Sequence, residues 1–116
     1  MLVVSAILIA GVAGCASTPV PTEQIAVSKA AVTSATRSGG NEYAPMELRS
    51  ATEKLTRAEQ AMAEENYALA KRLAEQAQVD ARLAETKAGL ARAQKALQDA
   101  EQSNRVLREE LNRTTR

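Results

Sequence analysis

From Met46 to Arg116 the chain holds no proline and a single glycine, Gly89. Ala, Leu, Glu, Lys, Gln and Arg fill most of that run, and these residues lead the helix-propensity scale. The β-branched and aromatic runs that mark strands are missing. The chain has no Phe and no Trp, and its only aromatic residues are Tyr43 and Tyr67. Alanine is the commonest residue, and it buries little area. A thick core of large side chains is therefore out of reach, whereas close approach of helix axes is what alanine permits. The expected fold class is all-α: a helical hairpin or small three-helix unit that continues into a long C-terminal coiled-coil-like helix.

Three helices can be read from the pattern. The first covers Glu23 to Arg37, with Thr22 as its cap and Glu23 suiting the positive N-terminal end. Ile25, Ser28, Val32 and Ala35 share one face. Ser38-Gly39-Gly40-Asn41 breaks it. The second covers Pro45 to Glu64, with Pro45 at the first helical position, where a missing N–H is no loss. Leu48, Ala51, Leu55, Ala58 and Met62 form its apolar stripe, and Arg49, Glu53 and Arg57 a solvated face. After Glu64-Glu65-Asn66, Tyr67 opens a third helix reaching about Asn112, roughly 70 Å long.

The third helix carries two patterns. Ala70, Leu73, Ala77, Ala81 and Ala84 suit packing on the second helix, with Tyr67 and Leu73 expected near Leu55, Ala58 and Met62. Leu83, Leu90, Leu97, Asn104 and Leu111 recur every seven residues, with Thr86, Ala93, Ala100 and Leu107 three places after the first four. These are the a and d positions of a coiled coil, and a polar Asn at an a position specifies register at a cost in stability. Either another helix of the same chain or a second chain can cover this stripe. The first two helices are too short to cover all of it, which favours association between chains. Glu101, Arg105, Glu109 and Arg113 form an i,i+4 ladder outside it.

The segment Tyr43 to Ala88 resembles a small bacterial envelope family, domain of unknown function 4398. The likeness rests on Tyr43-Ala44-Pro45, on the spaced Leu and Ala from Leu48 to Ala58, and on Asn66-Tyr67 followed by Ala70, Leu73, Ala74 and Ala77. The resemblance implies an envelope location; members of the family often accompany, or are fused to, a peptidoglycan-binding domain of the outer-membrane-protein-A type, so a peptidoglycan-contacting spacer or an accessory partner of such a protein is the alternative expectation. It implies no known activity. Asn66-Tyr67-x-x-Ala70 is also similar to a tetratricopeptide hairpin, but one unit makes no solenoid.

Met1 to Ala13 carries no charged side chain, and Leu2 to Ala10 is apolar apart from Ser5. The apolar part falls short of the ~20 residues that cross a bilayer, so an export signal fits better than an uncleaved anchor. Val12-Ala13-Gly14-Cys15 resembles the bacterial lipobox: an aliphatic residue, two small ones, then the thiol that takes up a diacylglycerol as a thioether. Cleavage is expected between Gly14 and Cys15. The basic residues that ordinarily precede an export signal are expected from a start codon further upstream, since the first charge here is Glu23. The expected layout is signal peptide 1–14, lipidated Cys15 and tether to residue 22, helical hairpin domain 23–88, and coiled-coil extension 89–116. By its resemblance to enterobacterial lipoproteins, Ala16 in place of Asp directs the protein to the outer membrane, on its periplasmic face.

Fifteen basic and 14 acidic residues leave a net charge of +1, spread as on solvated helix faces. No nucleic-acid partner is expected. With no histidine, one cysteine and no phosphate-binding glycine loop, no enzyme activity, cofactor or metal is expected. The expected partners are the membrane through lipid on Cys15, a second copy or an envelope protein through the leucine stripe, and peptidoglycan through the basic end at Arg105, Arg108, Arg113 and Arg116. Lipidation requires the thiol, so Cys15→Ala should abolish incorporation of a fatty-acid analogue in cells and leave an uncleaved precursor. Label retained by the variant would remove Cys15 from the assignment.

Overall fold

The protein is seen in a computed structural model that describes residues 17–116. Four helices follow one another: α1 (Thr22–Arg37), α2 (Gly40–Tyr43), α3 (Pro45–Ala63) and α4 (Tyr67–Thr114). The all-α class holds, and no strand occurs among the described residues. The expected export signal and its cleavage site between Gly14 and Cys15 lie outside them.

The chain turns are set by local chemistry. Thr22 is the first residue of α1 rather than its cap; Pro21 takes the cap position, and its carbonyl accepts the Ile25 N–H at 3.1 Å. α1 ends at Gly39, whose φ of +88° is left-handed backbone that glycine adopts without strain. Gly40 is needed for a different reason, because a Cβ there would sit 2.8 Å from the Ala35 carbonyl oxygen. The expected open break is instead a single turn of helix, α2. The Tyr43 and Ala44 N–H groups bond at 3.0 and 2.9 Å to the carbonyls of Gly39 and Gly40.

Between α3 and α4 the Asn66 N–H reaches Ala61 O at 2.8 Å and the Glu65 N–H reaches Met62 O at 3.1 Å. This is a Schellman closure, with Glu65 at φ +59° in the place glycine usually takes. A non-glycine residue there carries a strain of roughly 1–2 kcal/mol. Asn66 then caps α4, its side-chain oxygen accepting the Leu69 N–H.

α1 runs parallel to α4 and α3 antiparallel to it, an up-down-up unit laid along the first half of α4. Ser28 meets Ala74 and Ser34 meets Glu85, while Lys54 meets Asp80 and Glu47 meets Lys87. The core is two small clusters. One joins Ala35, Ala44, Leu48, Ala51, Ala81 and Ala84, flanked by Ala31 and Val32. The other joins Ala58, Leu73 and Ala74, flanked by Ile25 and Leu69. Leu73 and Ala58 thus meet as expected. Tyr67 and Met62 are only half buried, and neither belongs to a core cluster. Ala61 takes the buried position at the end of α3.

Because Leu73 is one of three leucines buried in the core, Leu73→Ala should cost about 2–4 kcal/mol. Glu75 lies on the surface with only an i,i+4 partner, Lys71, and Glu75→Ala should cost a few tenths at most. Thermal unfolding followed by circular dichroism separates the two; equal shifts would count against the stripe that places Leu73 inside.

Candidate functional site

α4 has two apolar faces, and only one of them is covered. Ala70, Leu73, Ala74, Ala77, Ala81, Ala84 and Ala88 are buried against α1 and α3. At 100° per residue their mean direction lies about 180° around the helix from that of Val79, Leu83, Leu90, Leu97, Leu107 and Leu111. The second set is exposed: Leu90 by 59%, Leu97 by 61% and Leu111 by 66%. The leucine stripe therefore does not fold back onto its own chain.

The two faces part company at Ala91, which is half buried. Beyond it the covered face becomes Arg92, Lys95, Asp99 and Gln102, in step with the end of α1, where the Arg92 guanidinium donates to Ser38 O at 3.0 Å. The leucine face continues to Leu111, interrupted only by Asn104 among its a positions. α4 passes the expected boundary at residue 89 as continuous helix, and nothing lies within 4 Å of the Cβ position of Gly89. Asn104 lies exposed on the stripe. Val79, which the heptad reading left out, occupies the d position before Leu83, and it was legible once the repeat was extended upstream.

Polar contacts fix the covered face. The Ser28 hydroxyl is buried between α1 and α4, shared between Ala74 O at 2.5 Å and Gln24 O at 2.7 Å. Ser34 donates to Glu85 at 2.7 Å. Across α3 and α4, Lys54 and Ser50 both donate to Asp80 Oδ2, at 2.5 and 2.7 Å. Burial pushes the Asp80 carboxyl up, but the bonds from Lys54 and Ser50 outweigh it and hold the pKa below the ordinary value. A depressed carboxylate stabilises the fold above its unfolded pKa and loses that contribution as pH falls through the folded one. Glu47, bonded to Lys87, is lowered in the same sense. Lys54 and Asp80 border a shallow depression with Arg72, Glu75, Gln76 and Val79, and it stays open to solvent. The depression bounded by Asp99, Gln102, Ser103, Val106 and Leu107 is formed by one helix and stays open to solvent. Among the described residues no cluster of metal-ligating side chains occurs, and no helix is long and apolar enough to cross a membrane.

The family model described as "Domain of unknown function (DUF4398)" matches residues 23–105. The chain belongs to the DUF4398 family. The match starts where α1 does, within a residue, and runs past the three-helix unit into the part of α4 that only the leucine face occupies. No curated protein and no solved structure matches the chain.

The two faces should respond differently to substitution. Ala84→Leu forces a large side chain between packed helices, and overpacking of this kind costs about 1–3 kcal/mol. Leu97→Ser touches nothing within the chain and should leave thermal unfolding of the dilute protein within about 0.5 kcal/mol of the parent. Loss of the three-helix unit on Leu97→Ser would show that the stripe is part of the core.

Proposed function

We propose that this DUF4398 protein is a lipid-anchored component of the bacterial envelope with a structural, protein-binding role, held at the periplasmic face of the outer membrane through Cys15. The observation that carries this reading is the uncovered leucine face of α4. A monomer rarely leaves a long, mainly apolar strip in water without an occupant, and this one extends well past the unit that α1 and α3 complete. The tether from Ala16 to Thr22 leads into α1 at the end of the molecule where Tyr67 opens α4, because α1 and α4 run parallel. Lipid on Cys15 thus holds that end at the bilayer, and two or three acyl chains make such attachment effectively permanent.

A second reading, a spacer that contacts peptidoglycan, draws on Arg105, Arg108, Arg113 and Arg116 near the far end of α4. Glu101, Glu109 and Glu110 offset that charge, and Glu110 already pairs with Arg113 at 2.7 Å. Protein binding through the leucine face is therefore preferred, and a protein of the outer-membrane-protein-A type or a second copy are the partners in view.

A photo-crosslinking residue at position 97, used in intact cells, should give an adduct with an identified envelope protein or with the chain itself. The same residue at position 102, on the polar face, should give none. Sedimentation with purified sacculi and no adduct from position 97 would replace the proposal by the spacer.

A further inference from the structure

The geometry points to a second copy of this chain as the occupant of the leucine face, paired antiparallel in a register that sets Leu97 of one copy beside Ala93 of the other. This inference rests on the reading of that face as a docking surface and adds its partner, direction and alignment. In an antiparallel coiled coil each a residue layers against a d residue of the partner, so facing positions have a constant sum. The register proposed has a sum of 190, taken from the numbering.

Every layer then matches. Leu111 faces Val79 and Leu83 faces Leu107, large against large at both ends. Leu90 and Leu97 face Ala100 and Ala93 in the middle, where alanine lets the two axes close up. The one polar a residue, Asn104, faces the one polar d residue in that span, Thr86. The Thr86 hydroxyl already donates to Arg82 O at 2.9 Å, which leaves its oxygen free to accept from the Asn104 amide. Flanking charges match too. Arg82 comes opposite Glu110 of the second copy, and Lys87 opposite Glu101, each pair occurring twice by symmetry; Glu110 and Lys87 also have partners within their own copy, Arg113 and Glu47, and share them across the pair. Small residues meet at the two-fold axis, where Ala96 faces Ala96.

A parallel pair in register fares worse. It sets Asn104 against Asn104, but it brings Arg82 of one copy to Lys87 of the other and offers no opposite-charge pair along the stripe. Like charges across such a seam oppose pairing and set partner orientation. α1 and α3 cover the opposite side of α4, so neither arrangement is obstructed by the three-helix unit.

The test uses the full chain with Cys15→Ser, in mild detergent, which has no thiol of its own and does not depend on lipidation. Ala96→Cys should form a disulfide-linked dimer on mild oxidation. Asn104→Cys should not, because its two copies lie roughly 27 Å apart along the antiparallel rod. Arg82→Glu should weaken association in analytical ultracentrifugation by about three- to tenfold. Adding Glu110→Lys should restore it, a rescue open only to residues that meet across the pair. Leu97→Glu should abolish association while leaving the helical spectrum of the monomer intact. Crosslinking at Asn104→Cys but not at Ala96→Cys would overturn the antiparallel direction. A strictly monomeric parent would overturn the second copy as occupant, and the adduct from position 97 in cells would then still decide whether the face binds another envelope protein.

Discussion

The covered face of α4 consists of alanine at six of its seven buried positions, and the rest of the molecule follows from how close that lets α1 and α3 approach. Small side chains at a helix contact bring the axes to the near end of the usual 8–10 Å range. At that separation a serine can bridge backbones, and Ser28 of α1 does so at the Ala74 carbonyl. The same closeness limits what the core can supply. Three leucines, Leu48, Leu55 and Leu73, provide the large buried side chains among the described residues. A core this thin leaves little margin, and so the turns carry unusual weight. Gly40 permits a backbone contact that no Cβ would allow, and the Glu65 turn accepts strain to reverse the chain in three residues.

Hydrogen bonds and ion pairs then select the register. The Asp80 carboxylate receives both Lys54 and Ser50 from α3, and Glu47 receives Lys87 about two turns away on the same side. Sliding α3 by one turn would strand a partly buried carboxylate, a larger penalty than the modest net worth of a paired one. On the other flank Glu85 accepts from Ser34, and Arg92 donates to the carbonyl of Ser38 at the end of α1. The alanine contacts alone are nearly uniform along α4 and would allow several alignments; these polar groups remove the degeneracy.

Much of this was legible in the sequence. The stripe Ala70, Leu73, Ala77, Ala81 and Ala84 is buried residue for residue, and the α1 face of Ile25, Ser28, Val32 and Ala35 is the one that packs. Helix bounds were off by one or two residues at their ends, where capping geometry decides and composition does not. The short α2 was hidden because Gly39 and Gly40 read as a breaker, whereas their carbonyls accept the N–H groups of the next turn. Tyr67, expected beside Leu55, Ala58 and Met62, is half buried and lies outside both core clusters. The two faces of α4 were harder to separate. Apolar residues on opposite sides of a helix cancel in any single-stripe reading. Both stripes repeat every seven residues, Ala70, Ala77 and Ala84 on one side and Leu83, Leu90 and Leu97 on the other, and only their difference in phase reveals that there are two. The polar links through Asp80 and Glu47 left no mark in the sequence, since carboxylates at such spacings also describe ordinary solvated faces.

The direction of pairing decides how an anchored molecule would sit. α1 and α4 begin at the same end, so a parallel pair would have both tethers at one end and would stand away from the bilayer. In the antiparallel register the two Tyr67 residues lie roughly 80 Å apart at opposite ends of the rod. A tether running from Ala16 to Thr22 spans at most about 25 Å. Two lipidated copies in one leaflet must then lie along the membrane surface, with the three-helix units at either end and the leucine faces turned into each other. A single copy is under no such constraint and can direct its C-terminal arginines outward. Pairing of this kind would set the reach of the molecule. An unpaired protein can extend α4 some 70 Å from the membrane, and a paired one becomes a strut along it. If the leucine face pairs two copies in this way, the pair and the single molecule would present the C-terminal arginines differently, along the membrane in one case and away from it in the other.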